Sequence, residues 1–351
     1  MSDQIFDYCI IGAGPIGIEL AIEFKRIGAS YIHLEAGQIG ETISQYAPQT
    51  VFFSSPDRLA LAGVPFTTLN QQKATKEEYL HYLRDLVEQF DLSIRTEHRV
   101  ESIAHAQSLF KLEVVVSRAL EMVNRETITA RKIILAIGDL HHPNMLDVPG
   151  EHLSHVSHQL EDPHHYFRKD VLIIGGKNSA VEAAIRLQRV GAKVSLSYRH
   201  AELPKERIKY WLYPELIYLI RSGQVQFLPQ TTLREISPKS ALLFSQDLQQ
   251  ELNIPVDRVL LLTGYLQDKS LFNALGLALE SEALKPKLNP ETLEASVPGV
   301  YVIGTARAGT QQGKVTEYIE TSHVHVALLI KHFFDREIIH SRQVDKSFLE
   351  N

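Results

Sequence analysis

Short apolar runs of strand length alternate with segments whose apolar residues recur at helical spacing, and the alternation occurs twice along the chain. Residues 6–11 read as a buried parallel strand, and residues 18–26 carry apolar side chains at the spacing of one helix face. Gly28 ends that helix, and residues 31–34 form a second strand. Residues 75–90 predict an amphipathic helix through Tyr79, Leu80, Leu83, Leu86, Val87 and Phe90. Residues 93–134 read as several strands joined by turns, and the strand over 132–137 then ends at Gly138. Residues 139–150 then have the Pro, His and Gly content of an inter-domain link. Beyond it the opening pattern returns: a strand at 170–174, a helix at 179–190 closed by Gly191, and a strand at 193–198. A strand at 258–262, another at 300–303 and a helix from about 314 to 334 complete the reading.

Strand, helix, parallel strand, given twice, predicts an α/β protein with two Rossmann-like dinucleotide-binding domains. The first is discontinuous, residues 1–145 with 266–351, and the second covers 146–265. A chain of 351 residues with 44% hydrophobic content suits two cores, since single cores stop growing near roughly 250 residues.

Each first strand runs into a glycine-rich turn. The first holds Gly12, Ala13, Gly14, Pro15, Ile16 and Gly17; the second holds Gly175, Gly176, Lys177, Asn178, Ser179 and Ala180. Such a turn at a helix start aims backbone N–H groups and the positive end of the helix dipole at a pyrophosphate. Glu35 follows eighteen residues after Gly17, at the end of the second strand, where a carboxylate accepts hydrogen bonds from ribose hydroxyls. The equivalent place in the second half carries Arg199 and His200, with Lys205, Arg207 and Lys209 close behind. A carboxylate there repels a 2′-phosphate and an arginine grips it, so the second site is expected to prefer NADPH. Lys177, standing where the second glycine of the fingerprint belongs, adds a cation near the diphosphate.

The net charge of −6 and the lack of a basic run argue for small-molecule chemistry over nucleic acid. No apolar stretch approaches the roughly 18 residues that cross a bilayer, and a soluble, cytoplasmic protein is expected. Cys9 is the one cysteine and lies in the first strand, so neither an intramolecular disulfide nor a redox dithiol can form. Seven histidines fall between 141 and 165, with His152, His155 and His158 three residues apart. No cysteine and few carboxylates accompany them, so no metal is assigned, and a polar surface with a proton-transfer role for one histidine is the expectation.

The chain resembles the two-dinucleotide flavoprotein reductases, specifically the low-molecular-weight thioredoxin-reductase-like branch and, within it, the bacillithiol disulfide reductases of the YpdA type. The resemblance rests on Gly12 to Gly17, on Phe52, Phe53, Ser54 and Ser55 with Val64, Pro65 and Phe66, on Val148, Pro149 and Gly150, and on the run from Gly175 to Glu182. It implies FAD at the first turn, NADPH at the second, and a homodimer. Gly12, Gly14, Pro15, Gly17, Glu35, Phe53, Ser54, Val100, Gly138, Gly304 and Thr305 are then the FAD contacts; Gly175, Lys177, Asn178, Ser179, Ala180, Arg199 and His200 are those for NADPH. Three positions depart from the pattern: Ile16 stands where the YpdA type carries a cysteine, residues 158–164 lack the thioredoxin reductase dithiol, and Thr305 replaces an aspartate.

The expected function is transfer of hydride from NADPH to FAD, and of electrons onward to a small-molecule or small-protein acceptor: a small disulfide, a ferredoxin or a quinone. No catalytic acid, base or nucleophile is assigned. Flavin monooxygenation and a non-enzymatic, dinucleotide-bound redox sensor are the alternatives.

Overall fold

The computed structural model describes residues 4–106, 108–117, 124–311 and 315–338. The described residues form two compact units: one takes in those up to Gln45, Gln49–His142 and those of 265–338, the other Tyr46–Pro48 and Pro143–Gly264. The short stretch Tyr46–Pro48 has no counterpart in the sequence reading; its Ala47 packs on the apolar core of the second unit.

The first unit opens with β1 (Ile5–Ile11), α1 (Pro15–Ile27) and β2 (Tyr31–Leu34). α1 begins three residues earlier than its apolar spacing indicates, because proline is well suited to a first helical position, where its missing N–H costs nothing. Gly28 closes it in the left-handed conformation (φ 79°). Next comes α2 (Lys76–Gln89), started by a capping box in which Thr75 and Glu78 satisfy each other's backbone N–H groups. The strands β3 (Ile94–Arg95), β4 (His98–Ala106), β5 (Leu109–Val116) and β6 (Asn124–Leu135) follow.

In the second unit, β7 (Val156–Ser157), β8 (Asp170–Ile174), α3 (Asn178–Arg189), β9 (Lys193–Tyr198), α4 (Leu212–Arg221) and β10 (Val225–Pro229) lead to an antiparallel meander. The meander comprises β11 (Thr231–Ser237), β12 (Ser240–Ser245) and β13 (Gln250–Pro255), and β14 (Arg258–Leu261) follows it. β14 rejoins the parallel sheet, whose order is β10-β9-β8-β14-β7. Back in the first unit, the chain adds β15 (Val300–Val302) and α5 (Ile319–Phe334). The start proposed for that last helix near 314 lies outside the described residues; the helix itself begins after Tyr318.

The first unit's sheet runs β3-β2-β1-β6-β5-β4, with β15 also on β6. β5 covers the lower part of one edge of β6 and β15 the upper part, so at the carboxyl ends the order is β3-β2-β1-β6-β15. The register sets Ile11 level with Leu34 and Leu135, and Leu135 level with Val302. Four strands therefore stop at one height, and β1 meets a neighbour on each side, the topological switch point where open α/β sheets bind ligands. The second unit repeats this, with Ile174 level with Ser197 and Leu261.

Candidate functional site: two glycine turns of opposite charge

In the first unit, the turn after β1 is held down by its glycines. Gly12 has φ 106°, and a Cβ there would lie 2.5 Å from the Ala136 carbonyl oxygen; one on Gly17 would lie 2.0 Å from the Gly12 oxygen. Neither position admits a side chain without moving backbone. Gly14 is different: a Cβ would meet nothing within 4 Å, and its φ of −74° suits any residue. The space in front of Gly14 is thus a cradle that a Cβ would fill. α1 has no side-chain cap and no acid in its first turn, in contrast to the boxed start of α2, so its positive end faces that cradle. A pyrophosphate fits there.

Glu35, just beyond β2, is buried and braces the turn: its Oε2 accepts from the Ala13 N–H at 2.6 Å and its Oε1 from the Gly37 N–H at 2.8 Å. Burial raises its carboxyl above the usual range, and the backbone donors pull the other way. Each carboxylate oxygen keeps a lone pair for a ribose hydroxyl. Beside it, His33 is fully buried, with Nε2 bonded to the Gly12 carbonyl at 2.9 Å, and burial pushes it down to about 4, so the ring is neutral and donates. Nothing in the pattern of apolar residues marks His33, which stands where an aliphatic side chain would serve the strand equally well.

The other expected contacts of this unit divide. Gly138 (φ 78°) and Gly304 (φ 70°) follow β6 and β15 at the same carboxyl edge, and Thr305 Oγ1 lies 4.0 Å from where a Gly138 Cβ would be. Pro15 sits at the first helical position. Phe53 is exposed, with the Lys73 ammonium over its ring at 4.8 Å. Ser54 is buried and its hydroxyl is bonded to the Glu320 carboxylate, and Val100 packs in the apolar core, leaving only its backbone for a ligand. Ile16, in the place of the family cysteine, is buried, and its Cβ lies 3.5 Å from where a Cβ on Gly304 would be. Gln267 escaped the sequence reading: its buried amide donates to both the Gly138 and the Ala306 carbonyls, tying the two strand ends together from a distant part of the chain.

In the second unit, Gly175 (φ 147°) approaches the Leu262 carbonyl as Gly12 approaches Ala136; a Cβ would lie 2.5 Å from that oxygen. Gly176 makes room for the Tyr198 ring, which a Cβ would meet at 2.4 Å. Lys177 is the N-cap of α3 with extended backbone, and no side chain caps the helix. Ala180 is buried against Gly175 and contributes packing, whereas Asn178 uses its Oδ1 to accept from the Lys209 N–H at 2.7 Å, pinning the loop that follows β9. Ser179 is exposed.

Around this turn the charge is positive. Lys177 is held below its ordinary value by partial burial and then by Arg207 and Arg199, so these three cations crowd one another. Arg199 and His200 are exposed, and Arg199 Nε donates to His200 Nε2 at 3.2 Å. Lys209 is not part of the group; its ammonium is 3.3 Å from Glu182.

The histidines of 141–165 are spread over separate tasks. His141 Nε2 donates to the Ile137 carbonyl at 2.8 Å and Nδ1 accepts from the Asp268 N–H, a neutral ring that burial holds below its usual pKa. His158 lies 3.8 Å from Glu151, whose carboxylate accepts the N–H groups of Leu146 and Val148. Cys9 is fully buried in β1, and burial raises its thiol far above the ordinary range, leaving it inert as a nucleophile. Among the described residues no helix is long and apolar enough to cross a membrane.

Residues 9–304 match the family model described as pyridine nucleotide-disulphide oxidoreductase. The chain is 32% identical to bacilliredoxin reductase Bdr of Bacillus subtilis over 90% of its own length and 94% of that protein's. It is 26% identical to the ferredoxin–NADP reductase of Thermus thermophilus over 85% and 84%. Among solved structures, bacillithiol disulfide reductase Bdr (YpdA) from Bacillus cereus superposes with a TM-score of 0.88 at 30% identity, covering 95% of this chain and all of that one. With its two uncapped glycine turns, this chain belongs to the pyridine nucleotide-disulphide oxidoreductase family, in its thioredoxin-reductase-like form, and is an oxidoreductase whose cofactors are FAD and NADPH.

Proposed function

We propose that the first unit binds FAD, that the second binds NADPH in preference to NADH, and that the protein passes electrons to a small disulfide or ferredoxin-type acceptor without a thiol relay of its own. The observation that carries this is the contrast between two turns of similar backbone. One has a buried carboxylate, Glu35, at the end of its second strand; the other has Lys177, Arg199 and Arg207. The nicotinamide supplies hydride and the flavin takes it up; the protein contributes binding and orientation. Gly12, Gly14 and Gly17 bring backbone N–H groups to the FAD pyrophosphate, and Glu35 receives the ribose hydroxyls. Arg199 and Arg207 would grip the 2′-phosphate, and Lys177 would lie by the diphosphate that the turn at Gly175 receives.

The acceptor class draws on the relatives named as bacilliredoxin and ferredoxin reductases. With Cys9 sealed in β1 and Ile16 in place of a thiol, no side chain of this protein can form a mixed disulfide with the acceptor. A homodimer in the cytoplasm belongs to the same reading. An anaerobic titration with NADPH, followed at the flavin absorbance and then challenged with disulfides, ferredoxin and quinones, tests it. Bleaching by NADPH and recolouring by one acceptor are expected; a flavin that NADPH does not bleach would end the proposal.

A further inference from the structure

Asp139 follows Gly138 just beyond the carboxyl end of β6, is buried, and its donors among the described residues are all neutral: Gln311 Nε2 at 2.9 Å on its Oδ2, the Thr305 hydroxyl, and its own backbone N–H. A buried carboxylate without a cation is a costly arrangement, and burial raises its pKa. It is also well anchored. Gln311 accepts the N–H groups of Thr316 and Glu317 on its other amide atom, which ties Asp139 to the segment leading into α5. A carboxylate accepts about four hydrogen bonds, so these three donors leave it room for another.

The order of strands says what comes there. Glu35 ends β2, the phosphate cradle at Gly14 follows β1, and Gly138, Asp139, Gly304 and Thr305 follow β6 and β15. Neighbouring strands are about 4.8 Å apart, so with the adenosine ribose over β2 and the pyrophosphate over β1, the next group along the cofactor reaches β6 and β15. In FAD that group is the ribityl chain, a polyol whose hydroxyls both donate and accept. Open space lies along this path: a Cβ at Gly14 meets nothing, and one at Gly138 meets nothing nearer than Thr305 Oγ1 at 4.0 Å.

We infer that Asp139, joined to Thr305, holds the ribityl hydroxyls of FAD and thereby positions the flavin ring. The inference rests on the reading of the first unit as the FAD site. Asp139 accepts a ribityl O–H and Thr305 completes the contact, so the carboxylate that grips the polyol comes from the end of β6.

The test measures binding by the full-length apoprotein of FAD and, separately, of ADP, which contains the adenosine and pyrophosphate but no polyol. For Asp139→Ala the FAD Kd is expected to rise about tenfold to a hundredfold, the loss of a charge-assisted hydrogen bond, while the ADP Kd stays within about twofold of the unaltered protein. Asp139→Asn, which keeps the shape, should fall between. Thr305→Val should weaken FAD selectively, and combining it with Asp139→Ala should add less than the sum, because one hydrogen-bond chain is broken twice. The visible circular dichroism of bound flavin should change with Asp139→Asn, since the ring would sit differently. Unchanged FAD affinity, or equal weakening of FAD and ADP, would overturn the assignment while leaving the FAD site in place. An unaltered apoprotein that takes up neither ligand would remove the site itself.

Discussion

Replacing Arg199 by alanine should separate NADPH from NADH at the second site. The two coenzymes differ by the 2′-phosphate alone, a dianion near neutral pH, and Arg199 stands just past the end of β9, where the proposed site would receive that phosphate. It makes a 3.2 Å hydrogen bond to His200 and no carboxylate among the described residues pairs with it, so its guanidinium can turn to a ligand without breaking an ion pair there. A charge-assisted hydrogen bond contributes about 1.5–3 kcal/mol, and exposure puts Arg199 at the low end, so a loss of about 1.5 kcal/mol corresponds to roughly tenfold in KM. Lys177 and Arg207 remain close by and retain part of the attraction, which keeps the single substitution from being larger. The assay is the rate of flavin reduction against coenzyme concentration, with NADPH and NADH, at low and high salt. The KM for NADPH should rise about tenfold with kcat unchanged, the KM for NADH should stay within about twofold, and the salt dependence for NADPH should become shallower. Equal effects on both coenzymes, or none, would show that the cluster is a solvated loop and that the phosphate lies elsewhere.

Gly14→Ala should leave the melting temperature of the apoprotein unchanged, since its Cβ enters open space at an ordinary φ, and should weaken FAD binding by filling the cradle; Gly17→Ala, facing a backbone oxygen at 2.0 Å, should instead unfold or strongly destabilise the first unit. Thermal melts with FAD titrations distinguish the two, and a destabilised Gly14→Ala apoprotein would contradict the geometry. His33, pushed down to about 4 by burial, is neutral when folded and takes up a proton near 6.5 when unfolded. Its contribution to stability is therefore complete above pH 6.5 and is lost as pH falls toward 4, by about 3 kcal/mol in all. Urea melts across that window should show a smaller loss for His33→Gln, and an unaltered slope would reject it. Cys9→Ala should keep full turnover with any disulfide acceptor, and thiol reagents should not label Cys9 in the folded protein; a Cys9→Ala variant without activity would restore a sulfur relay to the scheme.

The parts legible in the sequence were those that local chemistry enforces. A strand, a glycine turn and a helix are specified within about thirty residues, because Gly12 and Gly17 must clear backbone atoms a few positions away and Pro15 fixes the helix start. The opposite charges at Glu35 and Arg199 were equally visible, each lying at a fixed offset from its turn. What escaped was set by distance in the chain. Gln267 reaches Gly138 across 129 residues and carries no local mark, and Ser54, though part of a recognisable segment, reaches a partner, Glu320, 266 residues away that nothing near it announces. The antiparallel meander of β11, β12 and β13 was also missed, since its strands carry no clean alternation: Ala241 to Phe244 of β12 are apolar in a row, and β11 changes register between Leu233 and Glu235.

The two turns also differ in how they are kept. In the first, Gly17 lets α1 come close enough that no Cβ fits against Gly12, and the carboxylate of Glu35 reaches back to the Ala13 N–H. In the second, the methyl group of Ala180 packs against Gly175, and the loop after β9 is tied down by Asn178 from the helix side. A buried brace suits a cofactor that stays bound, because opening the site means exposing Glu35 and its backbone partners together. An exposed rim of Lys177, Arg199 and Arg207 suits a coenzyme that arrives and leaves in every cycle, because long cations attract a phosphate at a distance and release it at little structural cost. On the proposed assignment the same fold element serves retention at one site and exchange at the other, and a reductase working without a sulfur relay would need both: a resident flavin to hold electrons, and a diffusible donor to replace them.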